Sequence, residues 1–218
     1  LRDETIRAGQ EAGRGVPILA HCDLTVVGEH LEILHTSFWE QQGFKVRGLR
    51  GAAGDRSVRK SLVMRNFVTG CAMMCNAGLR EMADPVPTDC SMHDWWVALV
   101  AGFLGEIRAV EAACILYRQH GSNSLGAKDW SLLSVLRRSL TRPGASLERT
   151  RTWLNASRRQ AEHLSSRFGP QLSPEEAAYL EDCTRRGSRH ILSRKTFLLR
   201  HRVWPQSWVR ALIMVVIM

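Results

Sequence analysis

Asp94 is the residue whose type and setting point most directly to proton chemistry. It lies in the stretch Ser91-Met92-His93-Asp94-Trp95-Trp96, between an imidazole and two indoles. A carboxylate within hydrogen-bond reach of a hydroxyl can take its proton, and an indole face can serve as a ligand platform. Downstream, Tyr117-Arg118-Gln119-His120-Gly121-Ser122-Asn123 supplies a second group of polar side chains. Arg118 and His120 are ionisable groups at its start. Each piece also has a structural reading. Ser91-x-x-Asp94 before an apolar run fits a helix capping box, with Asp94 favoured by the helix dipole. The tryptophans suit a core, and Arg118 and His120 alternate on a strand end where both can face water. Spacing alone leaves both readings open.

The elements that would position these groups can be read from the apolar pattern. Val97-Ala98-Leu99-Val100-Ala101-Gly102-Phe103-Leu104 is apolar on every side, which predicts a buried helix over Trp95–Leu104 with polar residues in its first turn. Ala112–Leu116 reads as a short strand that empties into the Arg118 region. A buried helix opening on an acid, and a strand ending in Arg and His, place ionisable groups at one edge of a core, where α/β proteins put their chemistry. A first strand is expected over Ile18–Val27, rich in β-branched residues, and Leu31–Leu34 is expected to return as a short one. Arg47–Lys60 reads as a Gly- and Arg-rich loop, Ser61–Asn66 as helix, and Phe67–Cys75 as a strand interrupted by Gly70. Helical periodicity returns over Trp130–Leu140 and Leu147–Phe168, separated by Thr141-Arg142-Pro143-Gly144. Ser173-Pro174-Glu175-Glu176 is a strong helix start.

Composition limits the class. The chain has 218 residues, 44% hydrophobic and 23% charged, enough for one globular domain with an appendage. Its net charge of +9 is segregated: residues 1–130 hold 14 Lys+Arg against 15 Asp+Glu, and residues 131–218 hold 16 against 6. The basic half interleaves arginines with apolar residues, a pattern that suits an anionic membrane surface. The final apolar run, Ala211–Met218, is too short to span a bilayer. With no helix-turn-helix, RRM or zinc pattern, no nucleic-acid partner is expected. The six cysteines form no CxxC pair and read as free thiols of a reducing, cytoplasmic compartment.

Three ordered motifs carry a family resemblance. Asn66-Phe67-Val68-Thr69-Gly70-Cys71-Ala72-Met73-Met74, then His93-Asp94-Trp95-Trp96, then Leu116-Tyr117-Arg118-Gln119-His120-Gly121-Ser122-Asn123 resemble bacterial family 2 glycosyltransferases, most closely their rhamnosyltransferase-like branch. His21-Cys22-Asp23-Leu24-Thr25-Val26-Val27 and Ser37-Phe38-Trp39 are similar to the same branch. The resemblance covers about Ile18–Ala127, half the chain.

The resemblance implies an α/β fold: part of a GT-A-type (nucleotide-diphospho-sugar transferase) domain over residues 1–127, followed by a basic, mainly helical region over 128–218. It implies transfer of a sugar, rhamnose being one candidate, from a nucleoside-diphosphate sugar to a cell-surface glycan or lipid-linked acceptor. Asp94 would be the catalytic base. Thr69, Gly70, His93, Trp95, Trp96, Arg118 and Gln119 would contact substrate, and His120 would approach a divalent cation, Mg or Mn. The family's nucleotide-binding motifs and aspartate-rich metal motif do not occur here, so the chain is expected to be an inactive fragment located in the cytoplasm or peripherally on the inner face of the plasma membrane. The competing expectation is a non-catalytic, basic peripheral-membrane binding module.

Overall fold

The structure, a computed structural model of the chain, describes residues 1–13, 15–42, 44, 56–119 and 143–185. Helix α1 (Arg2–Ala12) leads into strand β1 (Ile18–Val27), then β2 (Ile33–His35), α2 (Phe38–Gln41) and α3 (Arg56–Met64). A 3₁₀ turn at Gly70–Ala72 precedes β3 (Met73–Cys75), α4 (Ala77–Ala83), α5 (His93–Leu104) and β4 (Glu106–Arg118). Beyond these lie α6 (Pro143–Phe168) and α7 (Pro174–Thr184). The architecture is α/β, built on a four-stranded mixed sheet.

β1 organises the sheet. All its residues but Thr25 are buried, as expected of a strand apolar on both faces. It pairs in parallel with β4 along its length, from Ile18 opposite Glu106 to Val27 opposite Arg118. It pairs antiparallel with β3 at its start and with β2 at its end. β4 uses thirteen residues where β1 uses ten, and the register shifts on both sides of Asp23. These irregularities let both strands finish together, so Arg118 ends level with Val27.

Asn76 locks the start of β1. Its Oδ1 caps α4 by accepting from Leu79 N at 3.0 Å and also accepts from Ile18 N at 3.0 Å. Its Nδ2 donates to Val16 O at 2.8 Å. Gly105 allows α5 to turn into β4 here, because a Cβ on it would lie 2.0 Å from the Pro17 carbonyl oxygen.

α5 is the buried helix that its hydropathy predicts, with eight of its twelve residues buried. Trp95 Nε1 donates to Leu62 O at 2.6 Å and Trp96 Nε1 donates to Ala83 O at 2.9 Å. These bonds satisfy the indoles and tie α5 to α3 and α4. The segment 143–185, set apart in the sequence by its charge, packs into this same core. Ala156, Ala161, Leu164 and Phe168 of α6, with Tyr179, Leu180 and Cys183 of α7, join the cluster that holds Trp95 and Leu99. Phe168 stacks on Trp96 at 6.3 Å, Ser157 Oγ donates to Val63 O at 2.5 Å, and Tyr179 OH donates to Lys60 O at 2.8 Å.

Several boundaries differ from the sequence reading. Only Met73–Cys75 of the expected Phe67–Cys75 strand is strand, because the chain turns at Asn66–Val68 and again at Thr69–Ala72. Arg56–Lys60, expected in a loop, begins α3. β4 starts at Glu106, six residues before the expected Ala112. The helix expected over Leu147–Phe168 starts earlier, at Pro143, since proline is tolerated in a first turn. Trp130–Leu140, His120 and the tail from 186 to 218 lie outside the described residues. Among the described residues no helix is long and apolar enough to cross a membrane.

Candidate functional site

α5 begins one residue later than a Ser91 cap requires. Met92 is its N-cap and makes no side-chain cap bond, so the capping-box reading of Ser91-x-x-Asp94 is not realised. The Asp94 carboxylate is instead turned onto the segment 66–70. Asn66 Nδ2 donates to Asp94 Oδ1 at 3.0 Å, and Gly70 N donates to Oδ2 at 2.9 Å. Trp95 N lies 2.7 Å from Oδ1 and completes the set of donors. A half-buried carboxylate with several N–H donors is held in one orientation.

Gly70 is the floor of this arrangement. A Cβ placed on it would lie 3.0 Å from His93 Nε2 and 3.3 Å from Asp94 Oδ2. The imidazole nitrogen and the carboxylate oxygen therefore converge over Gly70, where an added side chain would press on both. His93 is exposed while Asp94, Thr69 and Gly70 are half-buried, so the convergence opens outward. The turn beneath is closed by Ala72 N donating to Thr69 O at 2.8 Å.

Cys71 and Tyr117 extend the cluster toward the end of β4. Burial pushes the Cys71 thiol up, and the negative charge of Asp94 adds to the rise. Burial likewise raises Tyr117, with Cys71 contributing in the same direction and a hydrogen bond from Gln119 opposing it. Tyr117 faces Phe38, with ring centroids 6.2 Å apart. Gln119 is fixed by its backbone N, which donates to Val27 O at 2.8 Å. Exposed Arg118 lies between them, at the carboxyl end of the β1–β4 pair.

The tryptophans require a correction. Trp95 is 1% and Trp96 0% exposed, and both indole N–H groups are used in the core. Neither ring has a face open to a sugar, so their place is structural. Thr69, Gly70, His93 and Asp94 are brought together by α5 and the loop before β3, while Gln119 lies on the Tyr117 side of the end of β4 and Arg118, by strand alternation, on the other. No three His, Cys, Asp or Glu side chains among the described residues are grouped to hold a metal ion. His120, the residue that the resemblance places near a divalent cation, lies outside the described residues.

Three further motif residues lie near this site, Asn66, Cys71 and Tyr117. Asn66 carried a signal, since an asparagine two residues before a free N–H is the pattern of a turn closed by its own side chain. Two buried polar residues of β1 also stand out. Asp23 accepts from Leu24 N, Ser37 Oγ and Trp39 N at 2.8, 2.5 and 3.0 Å, and so anchors α2 to the sheet. His21 is fully buried between Trp39 and Phe67, and neither ring nitrogen has a hydrogen-bond partner among the described residues. Burial lowers it to about 4. None of the six cysteines, all of them among the described residues, is in a disulfide.

Comparison with known proteins adds no relative: no family model, no characterised protein and no solved structure matches this chain.

Proposed function

We propose that this chain is the acceptor side of a glycosyltransferase, with Asp94 as the base that activates an acceptor hydroxyl. The reading rests on the motif resemblance. The observation that carries it further is that the Asp94 carboxylate, besides taking the first-turn N–H of Trp95, is turned onto the loop 66–70 and held beside Gly70 and His93 in a half-buried setting that opens outward.

In this reading an acceptor hydroxyl approaches Asp94 Oδ2 over Gly70. As the hydroxyl oxygen forms its bond to the anomeric carbon, its proton passes to the carboxylate, and the glycosidic electron pair leaves with the nucleoside diphosphate. Backbone donation from Gly70 keeps the carboxylate aimed as charge develops. His93 contacts the sugar from the exposed side. Arg118, at the end of β4, supplies positive charge for the departing diphosphate. Thr69 and Gln119 line the approach.

The test is turnover of nucleoside-diphosphate sugars, rhamnose donors included, with lipid-linked glycan acceptors. It is run on this chain and on a version extended at its N-terminus, each with and without Asp94→Asn. The substitution should lower the transfer rate about 10²–10⁴-fold, the usual worth of a positioned base, with donor binding little changed. Full turnover in a folded Asp94→Asn protein, or no transfer by either version, would end the reading.

A further inference from the structure

The carboxylate of Asp94 is gripped by one short segment of chain. Asn66 reaches Oδ1 and Gly70 reaches Oδ2, so the loop 66–70 brackets both oxygens. The grip is directional because Asn66 is itself oriented. Its Oδ1 accepts from Val68 N at 3.0 Å, which closes a side-chain turn and fixes which end of the amide faces Asp94. An amide whose oxygen is engaged in this way can present only its NH₂ group to the carboxylate. Asn66 is half-buried, where a hydrogen bond to an ionised group is stronger than in water.

We propose that Asn66 is a positioning residue: it holds Asp94 through Oδ1 so that Oδ2 stays over Gly70 beside His93 Nε2. This rests on the reading of Asp94 as the base. Asn66 touches no reacting atom, and its contribution is the angle at which the base meets an acceptor. Without it, Asp94 keeps only the backbone donors of Gly70 and Trp95, and its side chain can swing about the start of α5.

Asn66→Asp separates the two bonds of the amide. An aspartate keeps the acceptor that Val68 N needs, so the turn survives, but it replaces the donor to Asp94 with a second carboxylate. On the ¹⁵N-labelled full chain, the Asn66 side-chain amide pair is identified as the pair lost in Asn66→Asp. In Asp94→Asn this pair should move, and its exchange with solvent should quicken about tenfold, the effect of losing one charge-assisted hydrogen bond. In Asn66→Asp the backbone signals of His93 and Asp94 should move, while the indole signals of Trp95 and Trp96 stay in place. A purely structural role would disturb the indoles as well. An Asn66 amide pair unmoved by Asp94→Asn, or His93 and Asp94 signals unmoved by Asn66→Asp, would overturn the proposal.

Where transfer is measurable, Asn66→Asp should lower kcat about 10–10²-fold and leave the donor KM unchanged. An equal rise in KM would place Asn66 in binding and overturn the assignment. The two readings fail separately. Coupled amide signals with full turnover in Asp94→Asn would remove the transferase reading and leave Asn66 orienting a carboxylate that does no chemistry. Lost turnover in Asp94→Asn with uncoupled amide signals would remove the positioning role alone.

Discussion

His21 and Asp94 are both polar side chains placed against apolar elements, and their partners decide their behaviour. Asp94 has donors on both oxygens, whereas His21 has no partner on either nitrogen among the described residues. Burial without a partner disfavours the charged imidazole and lowers His21 from 6.5 to about 4. The unfolded chain therefore binds this proton first as pH falls. The stability that His21 allows is complete above pH 6.5 and is lost progressively toward pH 4, by roughly 3 kcal/mol in all. His21→Phe, which suits a site between Trp39 and Phe67, should remove this part of the acid sensitivity. Urea midpoints of both proteins at pH 7 and pH 4.5 check it, and an equal loss in the two would clear His21 of the effect. Sequence could single out Asp94 by type, but not the donors that hold it. Those come from a loop 24 to 28 residues upstream, and the Ser91 spacing suggested a nearer partner. The tryptophan pair was ambiguous for a different reason. It opens an apolar helix, and only the carbonyls of Leu62 and Ala83 show that both N–H groups point inward.

Elements announced by local chemistry were legible, and those decided by a neighbour were not. α7 is the clear case. Ser173 Oγ accepts from Glu176 N at 3.3 Å, Glu176 Oε2 accepts from Ser173 N at 2.9 Å, and proline occupies the first helical turn. Four consecutive residues specify that start. Nothing local specified that Glu176 would also meet Arg59 at 2.5 Å, or Glu175 meet Lys60 at 3.2 Å, which docks α7 on α3. Ser173→Ala should cost about 0.5–2 kcal/mol and lower Tm by about 2–4 °C per kcal/mol. Glu176 shows the two influences together. Burial would raise its carboxyl, but the Ser173 hydrogen bonds and the Arg59 guanidinium outweigh this and hold it below its ordinary value. The linked stability is therefore present at neutral pH and lost as pH falls through that depressed value. The deficit of Glu176→Gln relative to wild type should shrink in acid, and scanning-calorimetry melts at pH 7 and pH 3 would show it. A deficit independent of pH would mean that the Arg59 pair contributes nothing. β3 shows the opposite limit. Phe67–Cys75 is apolar enough for a strand, but the turns at Asn66 and Thr69 use its first half to hold Asp94, leaving three residues to pair with β1.

At the scale of the molecule, charge and core divide the chain differently. Basic residues concentrate beyond residue 130, which marks that region as an appendage when composition alone is read. The core does not follow that division. α6 turns exposed Arg151, Arg158 and Arg159 outward while burying Ala156, Ser157, Gln160, Ala161 and Leu164, so a basic helix still presents one apolar stripe to α3 and α5. Arg167 extends the docking by donating to the carbonyls of Asp84 and Pro85, in the loop that leads to the Asp94 helix. A chain ending before Pro143 would lose Phe168 from the face of Trp96, Ser157 from Val63 and Tyr179 from Lys60 together. Several fully buried side chains would be uncovered at once, each worth about 1.5–3 kcal/mol of burial, against a total stability of only 5–15 kcal/mol. Such a truncated protein should show no cooperative melt, should bind hydrophobic dyes, and should lose the fixed indole environments of Trp95 and Trp96. A cooperative transition within about 3 °C of the full chain, the shift expected for roughly 1 kcal/mol at this size, would show that residues before Pro143 close their own core and that α6 and α7 are an accessory layer.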